Sequence, residues 1–361
     1  MYRRWLPALV LCAAATVRAA ETPGYGAELE GFDYPYPVQH FEFESQGGKR
    51  QMAYMDVLPE RPNGGVLVLL HGKNFCAATW EGTIRALTGA GYRVVVPDQI
   101  GFCKSSKPEH YQYSFQQLAS NTHALLQSLG IERFSLLGHS MGGMLATRYA
   151  LMYPQQLEQL VLVDPIGLED WKAKGVPYRR VDEWYARELN TTAESIRSYQ
   201  QSTYYAGQWH PQWDKWVQMQ AGMFKGPGRE AVAWSSALTY DMIQTQPVYY
   251  ELERIEVPTL LMIGEKDTTA IGKDAAPEAL RSQLGNYPKL AREAAARIPG
   301  AVLVTFPDLG HSPQIQAPER FHQALLKGLV ARPGLIHPFA GCTRPTKSAA
   351  CIRQRRSGSE P

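Results

Sequence analysis

The chain has 361 residues, with 37 Lys and Arg against 34 Asp and Glu, 44% hydrophobic residues and five cysteines. That near balance of charge leaves nothing to attract nucleic acid. Past the N-terminus no run approaches the roughly 20 unbroken apolar residues of a membrane-spanning helix, so the sequence points to a small-molecule partner without stable membrane insertion, and leaves oligomeric state open.

The first element is a leader. Arg3 and Arg4 precede an apolar segment from Leu6 to Ala15, and Val17-Arg18-Ala19 puts small residues at the third and first positions before a cut. This reads as a signal peptide over residues 1–19, cleaved after Ala19, which predicts a periplasmic or secreted protein. Cys12 lies inside the apolar segment, so no acylatable cysteine marks the cut. The leader takes three arginines with it and leaves the mature chain without net formal charge.

Four cysteines remain, and in an oxidising compartment they are read as disulfide partners. Three pairings exist; Cys76–Cys103 and Cys342–Cys351 are preferred, the first because it joins loops after neighbouring strands, the second because it closes a small loop in a floppy tail. No Cys/His cluster has the spacing of a zinc site, and no metal or organic cofactor is expected.

From Val38 to Leu58, two alternating runs flank Gly47-Gly48 and predict an antiparallel hairpin. Short continuous apolar runs follow at Val66–Leu70, Arg93–Val96, Phe134–Leu137, Leu160–Val163, Thr259–Ile263 and Val302–Phe306, most of them separated by helix-length segments. Strands buried on both faces by crossover helices have this rhythm. The expected class is α/β, with a mostly parallel sheet flanked by helices and antiparallel strands first.

The third run leads into Gly138-His139-Ser140-Met141-Gly142, with a helix-like stretch from Met144 to Met152 behind it. A strand, a sharp turn and a helix lift the central serine into an exposed, strained position. Residues without a Cβ accept the crowding of such a turn, and the helix start aims unpaired N–H groups at charge developing beside the serine. Ser140 is the candidate nucleophile.

Between Asp164 and Val257 the strand rhythm stops and polar, aromatic, helix-compatible sequence takes over, including Trp171, Trp184, Tyr199, Tyr204 and Tyr240. Its length predicts a helical cap over the carboxyl ends of the strands, where open α/β sheets keep their active sites. The expected organisation is a core of residues 20–164 and 252–332, a cap of residues 165–251 and a tail of residues 333–361. Basic residues such as Arg353, Arg355 and Arg356 make that tail read as a solvated end.

A serine needs a base, and the base needs an orienting carboxylate. Asp267 follows the run Thr259–Ile263 in Gly264-Glu265-Lys266-Asp267, and His311 follows the run Val302–Phe306 in Asp308-Leu309-Gly310-His311. Both sit in loops at strand carboxyl ends, in the order serine, acid, histidine. Asp164 is the competing acid.

With His71-Gly72, Asp98-Gln99-Ile100-Gly101-Phe102 and the Gly-His-Ser-Met-Gly-Gly turn, these segments resemble the α/β-hydrolase superfamily over about Val38 to Val330. The resemblance implies Ser140 as nucleophile, His311 as general base and Asp267 as its partner. It implies an oxyanion hole from the backbone N–H groups of Met141 and Lys73. His71, His139, Trp171 and Trp184 are assigned to the substrate side, although His71 also reads as a brace for the oxyanion loop and His139 as packing. Asp98 reads as a loop fixative that accepts backbone N–H bonds.

The expected reaction is cleavage of a carboxylic ester of a small to medium, largely apolar substrate through an acyl-enzyme. Carbon–carbon bond hydrolysis, amide or lactone hydrolysis and perhydrolysis use the same three residues and stay open. Epoxide hydrolases and haloalkane dehalogenases of the superfamily use a carboxylate where Ser140 stands, which argues against both. A non-catalytic binding protein on the same scaffold is the alternative of another class.

Overall fold

The computed structural model describes residues 23–329. The leader and the cysteines Cys342 and Cys351 lie outside the described residues. Eight strands form one sheet: β1 (Val38–Ser45), β2 (Gly48–Val57), β3 (Val66–Leu70), β4 (Arg93–Pro97), β5 (Phe134–His139), β6 (Leu157–Val163), β7 (Thr259–Gly264) and β8 (Val302–Phe306). Their order across the sheet is β1-β2-β4-β3-β5-β6-β7-β8. β1 pairs antiparallel with β2, and β2 antiparallel with β4. All later pairings are parallel.

The continuous apolar runs are explained by burial from both sides. In β3, Val68 and Leu70 join the core on one face, while Leu67 and Leu69 join the core on the other. β7 repeats the division with Leu261 and Ile263 against Leu260 and Met262. Helices α2 (Phe115–Ser128) and α3 (Met141–Met152) supply Leu118, Leu125, Leu145 and Tyr149 to the first face. On the second face, α1 (Glu81–Gly89) and the helix Pro318–Gly328 contribute Ile84, Leu87, Phe321 and Leu325.

The strand order reverses direction at β3, which lies between β4 and β5. The loops leaving β3 and β5 therefore diverge and open a crevice at the carboxyl ends of the strands. Lys73 and Ser140 stand in those two loops.

Between β6 and β7 the chain forms α4 (Val181–Leu189), α5 (Ala193–Tyr199), α6 (Asp214–Lys225) and α7 (Arg229–Thr245). After α5 the helix widens into a π turn over Gln200–Tyr204, a distortion often found at functional sites. Many aromatics of this insertion pack on one another. Tyr205 stacks on Trp213 at 4.0 Å and Trp184 on Tyr240 at 4.1 Å between ring centroids.

An N-terminal strap crosses this insertion. Tyr25 N–H donates to Gly222 O (2.9 Å) in α6, and Leu29 is completely buried. Lys104 Nζ donates to Leu29 O (3.2 Å), and Tyr34 Oη donates to Asp98 Oδ2 (2.6 Å), which ties the strap to the β4 loop.

Cys76 and Cys103 form a disulfide across 27 residues, joining the loops after β3 and β4 as the sequence led us to expect. Chain entropy assigns a loop of that length about 3.5 kcal/mol. Replacing both cysteines by serine, or reducing the bond, is expected to lower the denaturant midpoint accordingly, read by urea titration with and without dithiothreitol. A midpoint unmoved by reduction would assign the crosslink no share of stability.

Candidate active site

Every residue of β5 is buried, and the strand ends where Ser140 takes φ 57° and ψ −121°. A non-glycine residue held there stores of order 1–3 kcal/mol, tolerated only where surrounding contacts fix it. Those contacts are present: Ser140 N–H donates to Val163 O (3.1 Å), and Ser140 O accepts from Gly143 N–H (2.9 Å) and Ile166 N–H (3.2 Å). The turn also presses α3 against the end of β3. A Cβ on Gly142 would lie 2.3 Å from Leu70 O, so only glycine fits.

The loop after β3 passes directly over the serine, because a Cβ on Gly72 would lie 2.8 Å from Ser140 Cβ. Phe75 N–H closes that loop onto Gly72 O at 3.1 Å. Among the described residues the N–H groups of Lys73 and Met141 bond to no protein acceptor, the condition for donors reserved to a reacting oxygen. The Lys73 side chain leaves in another direction. Its Nζ donates to Ser236 Oγ (2.6 Å), lies 3.7 Å from Glu188 Oε2 and sits 3.5 Å from the Tyr240 ring centroid. Burial lowers the Lys73 pKa to about 8, with Glu188 opposing the shift.

The loops after β7 and β8 carry the candidate acid, Asp267, and the candidate base, His311. His311 Nδ1 and Asp267 Oδ2 are 2.6 Å apart, and both side chains are almost wholly buried. Asp267 Oδ1 accepts from Thr269 N–H (2.8 Å) and from Thr269 Oγ1 (2.6 Å). The carboxylate is thereby fixed on both oxygens, which sets the imidazole tautomer with Nε2 free to accept a proton. Ser140 Oγ forms no hydrogen bond among the described residues, so the acid–base contact is closed and the serine contact is open. Catalytic contacts often tighten only when substrate binds.

Asp164, the competing acid, stands apart from this chain of contacts. Its Oδ1 accepts from Gly264 N–H (2.8 Å), while its buried Oδ2 has no partner. Burial and then the neighbouring Asp267 push its pKa well above the usual carboxylate range.

His139 Nε2 lies 2.7 Å from His311 O, and burial, reinforced by His311, holds its pKa well below the ordinary histidine value. A neutral ring donating to that carbonyl fixes the backbone under the base. His71 is fully buried: Nε2 accepts from Gln99 N–H (3.0 Å), and Nδ1 lies 2.8 Å from Gly72 O. Both histidines therefore brace loops and neither lines the cavity. Asp98 accepts from Ala77 N–H (2.7 Å) and Lys104 N–H (3.2 Å), the loop-fixing role read in the sequence.

The insertion contributes residues that sequence reasoning missed. Thr203 O accepts from His311 N–H (3.4 Å) and Tyr204 O from Ser312 N–H (3.2 Å), so the π turn grips the histidine loop. The Tyr204 ring stacks on His311 at 5.2 Å, and Asn74 Nδ2 donates to its hydroxyl (2.8 Å). Thr269, which follows β7 and lies outside the insertion, was missed as well, although a hydroxyl residue two positions after an aspartate is a familiar capping arrangement.

A cavity of about 750 Å³ adjoins Asn74, Thr203 and Thr269. Its wall mixes aromatic and charged side chains. Trp184, Tyr199 and Tyr240 line it, but so do Arg187, Glu188 and Asp274. Trp171 is not in the wall; it is buried, and its Nε1 donates to Glu169 Oε1 (3.1 Å). Trp184 and Tyr240 stack on each other and still face the cavity, so the wall keeps an aromatic side beside its charged one.

No helix of the described residues is long and apolar enough to cross a membrane. Among the described residues, Cys76, Asp98 and Cys103 form a potential ligand cluster. The two sulfurs are already bonded to each other, which takes away their capacity as thiolate ligands.

A family model described as the alpha/beta hydrolase fold matches residues 65–318. The crystal structure of a probable hydrolytic enzyme from Pseudomonas aeruginosa PAO1 is 69% identical, with a TM-score of 0.85, over 86% of this chain and 99% of that one. The cis-3-alkyl-4-alkyloxetan-2-one decarboxylase of Xanthomonas campestris pv. campestris is 31% identical over 154 residues, 38% of this chain and 50% of that protein. The 2-hydroxy-6-oxo-6-phenylhexa-2,4-dienoate hydrolase of Comamonas testosteroni is 36% identical over 112 residues, 30% of this chain and 39% of that protein. The chain thus spans half or less of the length of these two curated relatives. On its sheet order, its strained serine turn and the family match over most of its length, the chain belongs to the α/β-hydrolase family.

Proposed function

We propose that this hydrolase is exported and cleaves a carboxylic ester through an acyl-enzyme on Ser140. The observation that carries the reading is the 2.6 Å contact between His311 Nδ1 and Asp267 Oδ2, both buried, together with the strained turn that holds Ser140 at the end of β5. Ser140 Oγ attacks the substrate carbonyl while its proton passes to His311 Nε2. Asp267 stabilises the imidazolium, and the N–H groups of Lys73 and Met141 take the charge on the carbonyl oxygen. His311 returns the proton to the departing alcohol, and water repeats the sequence to release the acid. In this reading the segment between β6 and β7 is a lid, and export rests on the leader sequence.

A phosphonylating probe tests it. A fluorophosphonate is expected to add covalent mass at Ser140, and p-nitrophenyl esters to give a burst of phenolate followed by steady turnover. Folded protein that neither labels nor turns over would favour the binding-protein alternative. Carbon–carbon bond hydrolysis is the second reading, favoured by the matched Comamonas hydrolase and by the charged residues Arg187, Glu188 and Asp274 in the cavity wall. Labelling at Ser140 with turnover of vinylogous ketones and not of esters would select it.

A further inference from the structure

We infer that the substrate carries a carboxylate remote from the bond cleaved, and that Arg187, with Arg179 beside it, receives that group. The inference rests on the serine-hydrolase reading for the chemistry at Ser140, but the anion site is argued from its own geometry. The cavity has two ends. Thr203 and Thr269, both buried, lie against the His311 and Asp267 loops. Arg187, Asp274 and Arg281 also line it, with side chains 47%, 53% and 46% exposed, which marks its mouth.

The charge at the mouth is unbalanced. Asp274 Oδ2 accepts from both Arg179 Nη2 (2.9 Å) and Arg187 Nη1 (3.0 Å), so one carboxylate serves two guanidinium groups. Their combined pull outweighs the effect of burial and lowers the Asp274 pKa, so this carboxylate is committed to them. Arg179 Nη1 is buried without a partner. Lys273 and Arg281 also line the cavity, but Lys273 Nζ donates to Leu284 O (2.9 Å) and Arg281 pairs with Glu278 (3.1 Å); the other lining carboxylate, Glu188, is engaged by Lys73 and Ser236. The pair is short of an acceptor: Arg179 has a buried donor unmet, and Arg187, the member that lines the cavity, shares its one carboxylate with Arg179.

The Trp184 ring holds the pair in place, with Arg179 4.4 Å and Arg187 5.4 Å from its centroid. Fixed guanidinium forks match a planar carboxylate. The modest excess of positive charge suits a monoanion and not a phosphate dianion. The substrate class is therefore a hemi-ester of a dicarboxylic acid or a similar ester with a distal carboxylate.

Two measurements test this separately from ester chemistry. In the first, kcat/KM is compared for monoethyl suberate and the neutral ethyl octanoate. The expected ratio favours the hemi-ester about tenfold or more, the scale of a charge-assisted hydrogen bond. Arg187→Gln should cut that ratio about tenfold, Arg179→Gln should also reduce it, and Arg187→Lys should recover part. A wild-type ratio near one, or equal losses for both esters, overturns the proposal.

In the second, suberate is titrated into Ser140→Ala protein and the fluorescence change that vanishes in Trp184→Phe is followed. Saturable change in Ser140→Ala that is lost on adding Arg187→Gln supports the site even if no ester is hydrolysed, in which case only the ester reading fails. No response to suberate, or a tighter response to inorganic phosphate, overturns the assignment.

Discussion

Ser140→Ala is expected to remove ester turnover by about 10⁵-fold or more while leaving the fold intact. In enzymes of this chemistry, losing the nucleophile costs about as much as losing the whole set of three residues. The substitution changes little else, since alanine keeps the Cβ and Ser140 Oγ bonds to nothing among the described residues. Ser140→Gly should be equally inactive but more stable. Glycine accepts φ 57° without the penalty that a Cβ brings, and the gain should be about 1 kcal/mol after the extra flexibility of the unfolded chain is offset. Steady-state ester kinetics and thermal melts on both variants read the two effects. Retained turnover in Ser140→Ala would reject the nucleophile, and a Ser140→Gly protein less stable than wild type would reject the strain.

Asp267→Asn should lower kcat by about 10⁴-fold. An amide at position 267 keeps an acceptor for Thr269 but offers His311 the wrong partner, and it withdraws the charge that supports imidazolium. Asp164→Asn is the matched control. Its carboxyl contacts Gly264 N–H and not the imidazole, so most activity should survive. Its signature lies in stability against pH. A carboxyl whose pKa is raised by folding contributes stability below the unfolded value near 4, and that contribution falls away as pH rises. Asp164→Asn lacks that loss, so its stability relative to wild type should improve between pH 4 and pH 7.5 in urea titrations. Severe loss of turnover in Asp164→Asn with mild loss in Asp267→Asn would exchange the two roles.

The sheet and the strand-end loops were legible because they are written locally. Continuous apolar runs mark strands covered on both faces, and Ser140, Asp267 and His311 each follow such a run. The joining of Cys76 to Cys103 was legible for the same reason, since each cysteine lies shortly after a strand that neighbours the other's. The grip of Thr203 and Tyr204 on the His311 loop was not, because backbone carbonyls carry no residue signature and a π turn has no compositional mark. The cavity wall was hidden too. Aromatic content shows that the insertion packs, but which rings stack together and which face outward depends on how four helices are rotated. Trp171 and Trp184 are indistinguishable in sequence, yet one braces Glu169 and the other stands among arginines.

The strap sets an order on assembly. Tyr25 leaves the ribosome early, whereas its seat on α6, with Gly222 and the following Gly226, is synthesised roughly two hundred residues later. A Cβ at Gly226 would lie 1.6 Å from Tyr25 O, so the seat accepts the strap only once α6 and its glycine exit have formed. Closure of the N-terminal segment is therefore a late, non-local step that slows maturation. Any fusion partner attached ahead of residue 23 would be carried beside the end of α6, where Tyr25 is seated.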